Sequence, residues 1–302
     1  MLIGNLECYG LTKVYEDKRK ALENVTFTVQ TSGIFGLIGR NGAGKTTLIR
    51  ILATELQPTS GKASINGLDV LKQETKLREK IAIVPQEART IRWMTSKQTV
   101  LSYLLWRGYG YGEAKKLAQE SLERLELQEY ADVLTSRLSG GTKRKVLIAT
   151  VMASEAEIIF LDEPTTGLDP ISRRELWVIL RALGKERFIF LTTHYLEEAE
   201  QLADKIGILK AGKLIALGAL SELRKTVKYQ YSIKLPSKTQ IPQLKDAEVT
   251  KDKSGATQIM ANEEEAFQVA RGLAEQAVKF SIAPVTLDDI FFYLVGQKAR
   301  DE

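Results

Sequence analysis

This sequence predicts an α/β fold built on a mostly parallel sheet, and three observations carry that prediction. Short apolar runs recur between residues 33 and 209 and alternate with stretches of helical periodicity. One run, Gly33-Ile34-Phe35-Gly36-Leu37-Ile38-Gly39, flows straight into a glycine-rich turn. Another, Ile158-Ile159-Phe160-Leu161, ends on two consecutive carboxylates, Asp162 and Glu163. Strands that are apolar throughout are buried on both faces, and strand–helix alternation builds a parallel sheet with helices on its faces.

The elements follow in order. Residues 3–30 alternate apolar and polar side chains in runs rich in Val, Thr and Phe, which predicts strands. The buried strand at 33–39 leads to a helix from about Lys45 to Thr54. Ser64-Ile65-Asn66-Gly67 reads as the end of a hairpin, and Lys80–Pro85 as another buried strand. Residues 87–154 then change character: helices at Gln98–Arg107, Glu113–Leu125 and Thr142–Ser154 read as a helical insert. Strands resume at Ile158–Leu161, Phe188–Thr192 and Ile206–Leu209, with helices at Ser172–Leu183 and Tyr195–Ala203 between them.

The pattern shifts again near residue 227, dividing the chain into a domain at 1–226 and a small α+β unit at 227–302. In the second unit Tyr229–Leu235 alternates like a strand, Pro236-Ser237 and Pro242 read as turns, and Lys251–Gly255 reads as a hairpin loop. Glu263–Ala277 is helical and Val278–Ala283 a strand. The last helix has a start signal: Thr286 as N-cap, Asp289 three residues on, and a staple of Val285 with Ile290.

Composition excludes several classes. With 302 residues, 44% hydrophobic and 27% charged, the chain can bury one large core and a smaller one, so it is not disordered as a whole. The formal charge is +5, without a basic tail, which counts against non-specific nucleic-acid binding. A single cysteine, Cys8, excludes an internal disulfide and a cysteine metal cluster, and a single histidine, His194, excludes a His-rich metal site. No stretch approaches the roughly 20 apolar residues of a membrane span, and residues 1–30 carry no apolar signal core. A soluble, intracellular chain is expected.

Three motifs carry chemistry. Gly39-Arg40-Asn41-Gly42-Ala43-Gly44-Lys45-Thr46 fits G-x-x-x-x-G-K-[ST], the phosphate-binding loop. Glycines let successive backbone N–H groups face an anion, and the following helix adds its positive end. Lys45 supplies a charge for the β- and γ-phosphates, and the Thr46 hydroxyl can ligate Mg²⁺. The strand at 158–161 delivers Asp162 and Glu163 to its carboxyl end, where open α/β sheets bind ligands. Asp162 is placed to hold Mg²⁺, and Glu163 to polarise an attacking water as a general base. Leu138-Ser139-Gly140-Gly141-Thr142 opens a helix and reads as a second anion site, or simply as an N-cap. Lys143-Arg144-Lys145 follows in the first turn, where cations oppose the helix dipole; an approaching polyphosphate would account for them.

In this order the three motifs resemble the nucleotide-binding subunit of an ATP-binding cassette (ABC) transporter, a P-loop NTPase. The resemblance implies a mostly parallel core sheet, an antiparallel β subdomain and a helical insert. The segment at 138–142 resembles the family signature, usually LSGGQ, with Thr142 in place of Gln. Gln86 matches the Q-loop glutamine, implied to touch Mg²⁺ and to couple the site to a membrane partner. Gly167-Leu168-Asp169 matches the D-loop, and His194 the switch histidine that contacts the γ-phosphate. Tyr15 matches the aromatic that stacks on adenine, with Tyr9 as a nearby competitor.

The resemblance covers residues 3–222. Over 285–291, Val-Thr-Leu-Asp-Asp-Ile-Phe is similar to the segment closing many cassettes of ABC-2-type exporters. It implies a chain that binds and hydrolyses ATP to power export through a separate transmembrane permease. It also implies ATP and Mg²⁺ as cofactors, no nucleic-acid partner, and a place on the inner face of the cell membrane. Two cassettes, as homodimer or heterodimer, are implied to pair head-to-tail, each nucleotide lying between one phosphate loop, including Gly39, Asn41, Gly42, Ala43, Gly44, Lys45, Thr46 and Thr47, and the other subunit's signature, Ser139, Gly140 and Gly141; Asp169 is also implied to bind nucleotide. The resemblance implies catalytic roles for Glu163, His194, Lys45 and Gln86, and metal ligation by Thr46, Gln86 and Asp162. Residues 87–137 would dock the permease, with Arg89, Arg92, Trp93 and Met94 near that groove. A DNA-repair or translation cassette is the runner-up, but such relatives carry two cassettes or coiled-coil inserts. A nucleotide-gated regulator without turnover is the third reading, opposed by Glu163 and His194.

Overall fold

Apolar strands stack into a central layer because their side chains have nowhere else to go: every residue of the strands at Ile34–Ile38, Ile158–Asp162 and Phe188–Thr193 is buried. The computed structural model describes residues 4–236, 244, 247–251 and 257–297. It divides into two compact units, Met1–Leu217 and Gly218–Glu302.

The first unit opens with β1 (Asn5–Val14) and β2 (Lys20–Gln30), followed by β3 (Ile34–Ile38) and α1 (Lys45–Leu52). Next come β4 (Ser60–Ile65), β5 (Leu68–Asp69), α2 (Glu74–Lys80) and β6 (Ile81–Val84). The helices α3 (Ser96–Trp106), α4 (Tyr111–Arg124) and α5 (Gly140–Ala153) precede β7 (Ile158–Asp162). Then α6 (Pro170–Gly184), β8 (Phe188–Thr193), α7 (Leu196–Leu202), β9 (Lys205–Lys210) and β10 (Lys213–Gly218) complete it.

The strands form two sheets. The central one has the order β10-β9-β3-β8-β7-β6. Its pairs β3–β8, β3–β9, β6–β7 and β7–β8 are parallel, as the strand–helix alternation predicts. The other, β2-β1-β4-β5, is antiparallel, with Asn66-Gly67 turning β4 into β5. Phe27 of β2 stacks on Phe35 of β3 at 5.9 Å, and Phe190 lies 4.9 Å from Phe35 and 5.7 Å from Phe160. This aromatic row joins the two sheets around α1. Helices α3 to α6 cover the opposite face of the central sheet.

The second unit holds α8 (Leu220–Lys225), β11 (Tyr231–Leu235), β12 (Ala247–Lys251), β13 (Thr257–Ala261), α9 (Glu263–Glu275), β14 (Ser281–Pro284) and α10 (Leu287–Gln297). Its sheet, β12-β13-β11-β14, is antiparallel. The start of α10 is as expected: Thr286 Oγ1 accepts from Asp289 N–H, Asp289 Oδ2 accepts from Thr286 N–H at 2.8 Å, and Val285 and Ile290 are buried. The unit begins earlier than residue 227 because α8 belongs to it: Leu223 is buried, and Arg224 Nε donates to the Val285 carbonyl at 2.9 Å. The turns expected at Ser237 and Pro242 and the loop expected over 252–255 lie outside the described residues. Two short helices, α2 and α8, were not expected; each buries one residue, Leu77 or Leu223, too little to make a periodic pattern.

Candidate active site

The loop between β3 and α1 is shaped by its glycines. Gly42 and Gly44 have φ of 81° and 109°, a region that costs side-chain-bearing residues energy. Gly44 is the N-cap of α1 and, lacking a side chain, caps nothing, so the first-turn N–H groups are left for an anion. Lys45 is 4% exposed, and its Nζ donates to the carbonyls of Gly39 at 2.8 Å and Arg40 at 3.3 Å. The ammonium is thus folded back along the loop it serves.

The carboxylates come from the end of β7. Asp162 accepts from the Thr192 hydroxyl of the neighbouring strand β8. Burial pushes the Asp162 pKa above the usual carboxylate range, against hydrogen bonds from Thr192 and Thr46. Glu163 follows with φ of 48°, its N–H donating to Thr192 O and Oγ1 at 3.1 Å each. The turn sends the Glu163 side chain towards the loop. Its Oε1 lies 3.3 Å from Lys45 Nζ. Its Oε2 receives Gln86 Nε2–H at 3.1 Å and Thr166 Oγ1–H at 3.1 Å, and lies 3.0 Å from His194 Nδ1. Four residues from four separated stretches of sequence converge on one carboxylate.

A cavity of about 350 Å³ opens here, lined by Asn41, Gly42, Gly44, Lys45, Thr46, Thr47, Gln86 and Glu163 with Arg19, Lys20 and Ala21. Three cations against one carboxylate suit a polyphosphate. Tyr15 adjoins it: its hydroxyl lies 3.2 Å from Thr47 Oγ1, and its ring carries Arg19 and Lys13 at 4.9 and 5.5 Å. Tyr9 is 52% exposed and pairs with Lys62 across β4. A larger cleft of about 900 Å³ lies near the amino ends of β3, β7 and β8 and holds none of the motif residues.

Ser139, Gly140, Gly141 and Asp169 do not line the 350 Å³ cavity. Ser139 caps α5, its Oγ accepting from Thr142 N–H at 3.1 Å and lying 2.8 Å from Thr142 Oγ1. A Cβ at Gly141 would sit 2.9 Å from Ser172 Cβ, so glycine is needed there for close approach. Ser172 in turn donates to Asp169 Oδ2 at 2.6 Å, and Asp169 caps α6.

The cationic run in the first turn of α5 has a different cause from the one expected. Arg144 is buried, and its guanidinium donates to the carbonyls of Pro164 at 2.6 Å, Glu163 at 3.1 Å and Asp162 at 3.4 Å. Lys145 pairs with Glu175 at 2.9 Å. Arg144 is thus engaged inside the fold and Lys145 in an ion pair at its surface. Sequence reading also missed Thr192 and Thr166; the polar pair Thr192-Thr193 closing an otherwise apolar strand was the available signal for the first.

A parallel α/β sheet that brings an anion-cradling loop, a buried lysine and paired carboxylates to its carboxyl edge defines a P-loop nucleoside triphosphatase. Comparison with known proteins narrows the class. The family model described as ABC transporter matches residues 22–166. The daunorubicin/doxorubicin resistance ATP-binding protein DrrA of Streptomyces peucetius is 34% identical over 98% of this chain and 94% of its own length. The Nod factor export ATP-binding protein I of Burkholderia thailandensis is 31% identical over the whole of both chains. The ATP-binding cassette MJ0796, solved as a dimer in a post-hydrolysis state with ADP and Pi, superposes with a TM-score of 0.64 at 28% identity, covering 71% of this chain and 98% of that one. The chain belongs to the ABC transporter family. It is an ATPase, the ATP-binding subunit that powers transport through a separate membrane subunit. Among the described residues, no helix is long and apolar enough to cross a membrane.

Proposed function

We propose that ATP is held by Gly39, Asn41, Gly42, Ala43, Gly44, Lys45, Thr46 and Thr47, with adenine against Tyr15, and is hydrolysed by water activated at Glu163. The observation that carries this reading is the convergence of Lys45, Gln86, Thr166 and His194 on the Glu163 carboxylate. A carboxylate held on both oxygens is oriented before the reaction begins, and orientation is the larger part of what phosphoryl transfer asks of a protein. Glu163 accepts the proton of the attacking water. Lys45 offsets charge on the β- and γ-phosphates. His194, with Nδ1 on Glu163, has its other ring nitrogen for the γ-phosphate.

The Thr46 hydroxyl, the Gln86 amide oxygen and Asp162 form an all-oxygen donor set that suits Mg²⁺. When bound, the ion neutralises phosphate charge. Burial of Asp162 works against its own ionised form, and a cation restores the balance.

Ser139, Gly140, Gly141 and Asp169 stand at the starts of α5 and α6, and in a head-to-tail dimer they complete the nucleotide site of a second cassette. Homodimer and heterodimer fit equally. The relatives named for resistance and for export support export through a permease at the inner face of the membrane. The 227–302 unit, extended back to Gly218, is read as an accessory domain for assembly or coupling.

The test is steady-state ATP turnover of the purified chain with and without Mg²⁺, alone and with the membrane protein that co-purifies with it. Mg²⁺-dependent turnover that changes when the membrane partner is present supports the reading. Turnover indifferent to Mg²⁺ would sink it.

A further inference from the structure

A buried polar cluster lies outside the phosphate site, between the segment that carries Asp169 and the one that carries His194. Its centre is Glu198, in the first turn of α7 and 0% exposed. Trp177 of α6 donates its indole N–H to Glu198 Oε1 at 3.2 Å. The hydroxyls of Thr165 and Thr193 and the guanidinium of Arg173 also face this carboxyl. Glu198 Oε2, Thr165 Oγ1 and Arg173 Nε are buried, and none has a partner at full hydrogen-bond geometry. Arg173 lies over the Tyr195 ring at 4.1 Å, and that ring lies 4.1 Å from His194.

A polar cluster closed this loosely is brought to full hydrogen bonding by a small shift of its members. A buried carboxyl adds less to stability than an apolar side chain of similar size would. Its use therefore lies in what it connects. Thr165 sits between Glu163 and Asp169, and Trp177 and Arg173 ride on the helix that Asp169 caps. Thr193 and Tyr195 flank His194 on either side.

We propose that Glu198 is a positioning residue for ATP hydrolysis, tying the 164–169 loop and α6 to the His194 segment so that the two move together. The proposal rests on Glu163 and His194 being the reacting groups, as read above. Burial pushes the Glu198 pKa up, against the pull of Thr193, Thr165, Trp177 and Arg173. A glutamine keeps the length of the side chain and an oxygen that can accept the Trp177 N–H, so Glu198→Gln preserves the link to α6.

The test is kinetic, on the full chain. Glu198→Ala, Glu198→Gln and Trp177→Phe are measured alone, and Glu198→Ala also in a His194→Ala background by single-turnover kinetics. Glu198→Ala is expected to lower kcat by about ten- to a hundredfold, with KM for ATP held within about twofold. Glu198→Gln should recover most of that loss, and Trp177→Phe should lower kcat in the same direction. In the His194→Ala background Glu198→Ala should cost nothing more, because there is no imidazole left to position.

Wild-type kcat in Glu198→Ala overturns the proposal, as does a loss that adds in full to that of His194→Ala. Should Glu198→Ala fail to fold, wild-type kcat in Trp177→Phe overturns it instead. Full activity of His194→Ala alone would contradict the reading of the active site, a separate failure.

Discussion

Lys45 Nζ lies 3.3 Å from Glu163 Oε1, with both side chains less than a tenth exposed. The pair joins the phosphate loop to the end of β7, and each partner is also held by its own neighbours. Lysine has the Gly39 and Arg40 carbonyls; glutamate has Gln86, Thr166 and His194. A cation and a carboxylate are thereby fixed face to face at a cavity lined in part with glycine and threonine.

Removing the cation should be felt twice. Lys45→Ala is expected to weaken ATP binding and to lower stability by about 3 kcal/mol, the low end for a broken buried pair because three other groups still hold Glu163. Ser139→Ala should leave monomer ATP affinity nearly intact while lowering ATP-induced dimerisation and turnover. Nucleotide titration and sizing separate the two. Equal loss of monomer affinity in both variants would contradict a site shared between subunits.

Arg144 should be intolerant of lysine. A single ammonium cannot meet the carbonyls of Asp162, Glu163 and Pro164 together. Arg144→Lys is expected to lose about 1–3 kcal/mol in denaturant unfolding, the cost of leaving buried polar groups unmade. An unchanged midpoint at unchanged slope would show that the three contacts carry no stability.

How much of this was legible beforehand depended on signal length. The parallel strands announced themselves because Ile34–Ile38 and Ile158–Leu161 are apolar throughout, and the phosphate loop because glycine, lysine and threonine at fixed spacing have few other uses. The Lys143-Arg144-Lys145 run is visible in the sequence, but one-dimensional spacing does not show that the cation at position 144 reaches carbonyls near residue 163. The Glu198 cluster was invisible for the same reason: Trp177, Thr165 and Glu198 meet only after α6 and α7 pack. The division at Gly218 leaves little trace in the sequence because α8 offers only Leu223 to a core.

The cap of α6 gives a pH signature. Asp169 accepts from Ile171 and Ser172 N–H at 3.0 Å each and from the Ser172 hydroxyl, and these bonds, the hydroxyl first, hold its pKa below the usual carboxylate range. A folded pKa below the unfolded one means the cap stabilises the fold above the unfolded value and loses that effect as pH falls through the folded value. Asp169→Ala should therefore melt below the wild type at neutral pH, with the gap closing as pH drops below about 4. A gap constant with pH would show that the ionised carboxylate is not what caps the helix.

Cutting the chain should succeed at one place and not at the other. Ending it at Leu217 removes α8 together with its partners and should leave ATP binding intact. Ending it at Thr226 exposes Leu223 and deprives Arg224 of the Val285 carbonyl, and should give a less soluble product. A folded 1–217 chain that cannot bind ATP would contradict the two-unit division.

The proposed division of labour, in which Glu163 carries the chemistry and the surrounding loop the binding, is probed by Glu163→Gln. The amide keeps the size of the side chain and leaves Lys45, Thr46 and Asp162 in place. Steady-state ATP turnover is measured beside ATP affinity and sizing with and without ATP. Turnover should fall by about 10²–10⁴-fold, the usual contribution of a general base, with affinity retained and a dimer appearing on addition of ATP. Turnover at the wild-type rate would show that Glu163 is not the base.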